Sequence, residues 1–149
     1  MAKIDAVSLY VHDGASAQTG VTAQTKLTQF TAAIDPDAGD GSVVPDVAND
    51  EIDVNGGGVY KVDVALSLEA SAATVVQAHV AAGGTEIAHL AAECDIATGE
   101  VDDAHALAIS GLYAPAAPGT TVVLSVVVES SNSANILVEH GQFTVMRID

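Results

Sequence analysis

The stretch Val59-Tyr-Lys-Val-Asp-Val-Ala-Leu-Ser-Leu-Glu69 decides the fold. Tyr60, Val62, Val64, Leu66 and Leu68 fall on one side of an extended chain, and Lys61, Asp63, Ala65, Ser67 and Glu69 on the other. Successive side chains of a strand point to opposite faces, so this pattern describes a half-buried antiparallel strand.

Working outward, Thr120–Glu129 (TTVVLSVVVE) is apolar on both faces, as expected of a strand covered on each side. Shorter alternating runs predict strands at Ile4–His12, Gln24–Ile34, Glu51–Val54, Thr74–Ala81, Thr85–Cys94, Ala104–Ser110, Ala134–His140 and Gln142–Ile148. Turn formers separate them: Asp13-Gly14, Asn55-Gly-Gly-Gly58, Gly83-Gly84, Thr98-Gly99, Pro115 to Gly119 and Ser130 to Ser133. Gly83-Gly84 between Val80 and Ile87 signals a tight hairpin. Ala88–Ala97 is the one window with a helical composition, and it lacks an N-cap. Asp35–Asp50 reads as the one extended loop. About ten short strands with regular turns predict an all-β sandwich or closed β architecture.

A chain of 149 residues is one domain with room for a real core. Its apolar mass is mostly Ala and Val, with Tyr10, Phe30, Tyr60, Tyr113 and Phe143 as the aromatic residues. Small and β-branched side chains suit sheets. No run of eighteen apolar residues occurs, and no apolar signal stretch follows Met1, so the expectation is a chain made in the cytoplasm that spans no membrane.

Twenty acidic residues against Lys3, Lys26, Lys61 and Arg147 give a formal charge of −16. Nucleic acid is thereby excluded as a direct partner, because phosphate binding needs clustered Lys and Arg. Two readings of the acidity stand: it keeps an Ala/Val-rich protein soluble, or it is an adaptation to high salt, where self-repulsion is screened within about 3 Å at molar ionic strength.

The acidic stretch Asp35-Pro-Asp-Ala-Gly-Asp-Gly41 is the best candidate metal site, with Asp35, Asp37 and Asp40 as oxygen ligands for Ca²⁺. It departs from the EF-hand pattern: Gly39 stands at the fifth ligand position, Asp40 where Gly is needed, and Asp46 at the twelfth. A solvated acidic turn, with no cofactor at all, is the simpler expectation. The second acidic cluster, Asn49-Asp50-Glu51 with Asp53, is weaker still. His12, His79, His89, His105 and His140 show no zincin or zinc-finger spacing, though His79 and His89 could meet across the Gly83-Gly84 hairpin. There is no G-x-S-x-G elbow, and Gly56-Gly57-Gly58 lacks the Lys-Ser/Thr of a phosphate loop, so its role is a tight turn before Tyr60. Cys94 is alone and reads as a small buried hydrophobe. No pattern supports an enzyme.

Ile52-Asp-Val-Asn-Gly-Gly-Gly-Val-Tyr60-Lys-Val-Asp-Val, the hairpin Val80-Ala-Ala-Gly-Gly-Thr-Glu-Ile87, Gly111–Val126 and the closing Phe143-Thr-Val-Met-Arg-Ile148 follow one another in an order that resembles the C1q/TNF-like jelly-roll family. Thr120 stands where that family usually has Asp. The resemblance covers residues 24–149 and implies a single jelly-roll domain of about ten antiparallel strands, with residues 1–23 as an N-terminal strand or arm able to reach a neighbour. It further implies a homotrimer, with Tyr60, Tyr113, Val126 and Phe143 at the contact with partners. Small jelly rolls of this kind decorate tailed-virus capsids, which implies a virion protein on the capsid exterior, bound to the major capsid protein or another virion protein. The alternative is the receptor- or glycan-binding tip of a spike or tail fibre. A cupin-type metal enzyme would need closely spaced His pairs with a Glu, which the chain lacks.

The two readings of the acidity separate in a salt titration followed by circular dichroism. Adaptation to high salt requires the fold to be lost below about 1 M salt, where screening weakens; a fold indifferent to salt leaves solubility as the reason for the charge.

Overall fold

In the computed structural model, residues 5–19, 21, 23–36 and 41–149 are described. The strand read from the alternation is β6 (Tyr60–Ala70), and Tyr60, Val62, Val64, Leu66 and Leu68 are all buried while the intervening residues are exposed or half-buried. Around it the first sheet is ordered β3 (Ala32–Ile34), β1 (Ala6–His12), β11 (Ile136–Arg147), β6 and β9 (His105–Tyr113). The second sheet is ordered β4 (Val43–Asp46), β5 (Glu51–Asn55), β10 (Thr121–Ser130), β7 (Thr74–Ala82) and β8 (Thr85–Ile96), with β2 (Thr25–Lys26) also paired to β10. Every strand pairing is antiparallel. The two inner faces enclose one core, in which Leu9, Leu66, Leu68, Val145 and Phe143 of the first sheet join Ile52, Val80, Leu124 and Val126 of the second. The fold is the all-β jelly-roll sandwich that the sequence led us to expect, with eleven strands among the described residues.

β10 is apolar on both faces because it is central, flanked by β5 and β2 on one side and β7 on the other. On its outer face Val127 lies in register between Lys26 and His79 and is buried. Gly83 and Gly84 both take positive φ (56° and 80°) at the tip of the β7–β8 hairpin, the backbone that a two-residue type I′ turn requires. The Ala-rich 88–97 window is strand β8 for nearly its whole length, and a short 3₁₀ turn, Thr98–Glu100, follows it.

Three sequence expectations are corrected. The run Gln24–Ile34 is two short strands in different sheets, because Leu27 and Phe30 both turn inward and carry the chain across the end of the sandwich. Gln29 holds that crossing: its Nε2 donates to the Ile136 carbonyl (3.0 Å) and its Oε1 accepts from the Val138 amide (2.8 Å). Ala134–His140 and Gln142–Ile148 are one strand, β11, interrupted only by a bulge between Val138 and His140. The Asp35–Asp50 stretch contains β4, whose Val43 is buried and pairs with Val54. In the N-terminal segment β1, the strand read at Ile4–His12, is zipped between β3 and β11, with Val7 and Leu9 in the core.

Asp50 ties the second sheet's corner to the crossing. It is buried, takes φ 56°, and its Oδ1 accepts a 2.8 Å hydrogen bond from the Phe30 amide. Burial pushes its carboxyl above the usual range despite that bond. Asp50→Ala leaves the Phe30 amide without its acceptor and is expected to lower stability by about 1–3 kcal/mol in urea denaturation. Asp50→Asn keeps the acceptor, tolerates positive φ and removes the desolvated charge, so it should match or exceed the parent.

Candidate functional site

The two outer faces of the sandwich differ in chemistry. On the second sheet, strand register brings Asp46, Glu51 and Asp53 of β4 and β5 onto the same face as Glu129 of β10 and Glu86, Glu93 and Asp95 of β8. Lys26 is the one Lys or Arg among these rows, and it pairs with Glu51 at 2.8 Å. Burial first, then the charges of Glu51 and Asp46, hold the Asp53 carboxyl above its usual range.

On the first sheet the rows are nearly neutral. Tyr10, Gln142, Ala65 and Ala108 lie side by side across β1, β11, β6 and β9, and Ser8, Thr144, Asp63 and Ser110 form the next row. Ala6, Met146, Lys61 and Leu112 form the row beyond that. Asp63 is compensated within the face: Lys61 Nζ donates to it at 2.7 Å and Ser110 Oγ at 2.6 Å. Burial acts to raise its carboxyl, but those two donors outweigh it and leave it below the usual range. Small side chains keep the surface flat, and a shallow open depression of about 540 Å³ lies over Tyr10, Ala65, Ala106, Ala108 and Gln142. In the third of these rows Leu112 is 54% exposed.

At one end of the depression, His12 at the end of β1 faces its register partner His140 on β11, and Asp13 joins them in a cluster. Gly14 fixes this end. Its amide donates to the Glu139 carbonyl at 2.9 Å, and a Cβ there would stand 2.1 Å from the Val138 carbonyl oxygen, so only glycine brings the chain so close to the bulge. Along β6 the following row carries Glu69 opposite Leu137. Burial, followed by the charge of Glu139, raises the Glu69 carboxyl.

Tyr60, Val126 and Phe143 are fully buried in the chain's own core, so none of the three reaches a partner. Tyr60 also spends its hydroxyl internally, donating to the Asn55 carbonyl at 2.6 Å, and Gly58 packs against its ring, which is the tight-turn role read for the glycine run. Tyr113 remains half-buried at the edge of β9. Asp37 and Asp40 lie outside the described residues, so the acidic stretch beginning at Asp35 gains no geometry. His79 and His89 do not meet: His79 pairs in register with Ala91 and approaches Glu86 at 3.6 Å, while His89 Nε2 bonds the Leu112 carbonyl on β9 at 2.8 Å. Cys94 packs against the core and burial raises its thiol, consistent with a small hydrophobe. The His12–Asp13–His140 cluster went unseen in the sequence, where 127 residues part Asp13 from His140 and only strand register joins them.

No protein-family model and no curated protein sequence matches the chain. Solved structures do match its fold. Eiger TNF from S. frugiperda aligns over 98% of this chain and 93% of its own at TM-score 0.63 and 14% identity. Murine APRIL aligns over 98% and 100% at TM-score 0.59 and 9% identity. PRD1 vertex protein P5 aligns over 97% of each chain at TM-score 0.60 and 15% identity. The chain therefore has the TNF-like jelly-roll fold, which it shares with PRD1 vertex protein P5.

Glu69 offers a check on the electrostatics at this end of the face. Its folded-state carboxyl holds a proton to higher pH than the unfolded one, so ionisation costs stability at neutral pH and the cost fades as pH falls toward the ordinary value of 4.5. Glu69→Gln is expected to raise Tm at pH 7 and to lose that advantage near pH 4, as followed by thermal denaturation at both values.

Proposed function

We propose that this chain is a structural virion protein that associates as a homotrimer through the outer face of its first sheet and decorates a capsid shell. One observation carries the reading: a chain of charge −16 keeps the central rows of its first sheet flat and nearly neutral, while seven of its acids share the outer face of the second. Copies of so acidic a chain repel one another, and contact costs least where charge is absent. Ser8, Ala65, Ala108 and Gln142 offer a flat surface of the kind that packs closely, and Ile34, Leu112 and Met146 add apolar area to bury. A C1q/TNF-like trimer uses one sheet of each protomer at its axis, and the fold shared with PRD1 vertex protein P5 supports a virion setting. The acidic second sheet then faces outward and keeps the assembly soluble. The partner on the shell is the major capsid protein or another virion protein, joined at a symmetry axis where repeated contacts give avidity.

A glycan-binding tip has less support. Phe30, Tyr60 and Phe143 are buried, which leaves Tyr10 as the one aromatic residue in the depression and no stacking platform for a sugar.

Light scattering coupled to size exclusion tests the trimer. The expected mass is about 45 kDa, three times the 14.9 kDa chain, and Ala65→Glu with Ala108→Glu should reduce it to the monomer while leaving the β-sheet circular dichroism intact. A monomeric parent at both low and molar salt overturns the reading. Electron microscopy of the parent particle with no density for this chain on the shell would remove the decoration role alone.

A further inference from the structure

We infer that His12, Asp13 and His140 form a site for one divalent transition-metal ion, with Zn²⁺ as the ion the donor set fits. The inference stands on a single chain and does not depend on the trimer.

The three side chains come from the end of β1, the residue just after it and the position of β11 that follows the bulge, and they converge without a hydrogen bond that needs all of them. His12 Nδ1 stands 3.2 Å from Asp13 Oδ1, and His140 Nε2 stands 3.8 Å from the same oxygen. One ligand atom from each lies within 4.8 Å of the others. Ligand atoms on a tetrahedral Zn²⁺, at about 2.0–2.1 Å from the metal, stand roughly 3.3 Å apart, so closure needs only small rotations of exposed side chains. The two rings, with centroids 4.8 Å apart and tilted by 58°, are not stacked on each other and can turn their nitrogens to a common point.

The backbone holds this arrangement in place. His12 and His140 are direct register partners, and the bulge in β11 immediately before His140 turns its ring toward β1. Asp13 takes φ 53°, a conformation Asp adopts more readily than most residues, and this returns its carboxylate toward both rings. The Asp13 amide donates to His140 Nδ1 at 3.5 Å, a bond at the limit of useful length, so giving it up to a metal-induced change of tautomer costs little. Glu69, in the next row of the sheet, adds negative potential that favours a cation.

Donor chemistry selects the ion. Two imidazoles and one carboxylate suit Zn²⁺, Ni²⁺, Cu²⁺ or Co²⁺, whereas Ca²⁺ and Mg²⁺ require oxygen donors. With three protein ligands, the fourth position is left to water. Bound there, the ion ties the end of the first strand to the last strand, a structural clasp across the first sheet.

Calorimetric titration of the untagged chain with Zn²⁺ in metal-free buffer tests the site. One ion per chain is expected, with affinity reduced about tenfold or more in His12→Ala and in His140→Ala, and less in Asp13→Asn, which keeps an oxygen donor and the same backbone. Millimolar Ca²⁺ should not compete. Co²⁺ should give visible bands without the near-ultraviolet thiolate band that Cys94 would produce. Zn²⁺ should also raise Tm in the parent and not in His12→Ala/His140→Ala. Absence of saturable binding, affinity in the double variant within twofold of the parent, competition by Ca²⁺ or a thiolate band each overturn the assignment.

Discussion

Everything else in this protein depends on two apolar sheet faces pressed against each other. Because a strand alternates its side chains, committing Val62, Val64, Leu66 and Leu68 to the core commits Lys61, Asp63, Ala65, Ser67 and Glu69 to the outside. The same holds for every strand in both sheets. Burial thus generates two outer faces whose chemistry is free to vary, and here it varies sharply. One face gathers seven acids, and the other has small, neutral side chains in its central rows, with the compensated pair Lys61 and Asp63 among them and Glu69 toward one end.

That division joins solubility to assembly. A uniformly acidic surface would keep copies apart, and a uniformly neutral one in an Ala/Val-rich protein would let them aggregate. Concentrating acids on the second sheet keeps the protein dispersed while leaving the central rows of the first able to meet a copy. The edges fit the same logic: β1 is covered by β3, and the crossing from β2 to β3 buries Leu27 and Phe30 over one end of the sandwich. Asp50 and Gln29 hold that crossing by bonds to backbone groups of other segments, so the corner is fixed by polar groups with partners.

The His12–Asp13–His140 cluster lies where that neutral face meets its acidic end. It is built by backbone features that have no other evident use together: a bulge in β11, a positive φ at Asp13, and a glycine at 14 that no other residue could replace without a clash. Joining β1 to β11 there would fasten the two strands that carry the first and last parts of the described chain.

Much of the fold was legible in the sequence because burial on one face leaves a period of two, and the Gly83-Gly84 turn and the long β6 alternation are local facts. Crossing points were not legible. Gln24–Ile34 looks like one strand because Leu27 and Phe30 are apolar wherever they go, and only the packed structure shows them leaving one sheet for the other. The aromatic residues Tyr60 and Phe143 were expected at a partner contact, yet their large apolar area is spent in the core, which leaves small residues to form the outer face. What the sequence by itself determined is the all-β sandwich, its charge and the absence of recognisable catalytic patterns, since these rest on composition and short-range alternation. Tertiary structure alone decided which side chains share a face and which histidines meet, because both depend on register between strands distant in sequence, β1 and β11 by more than a hundred residues.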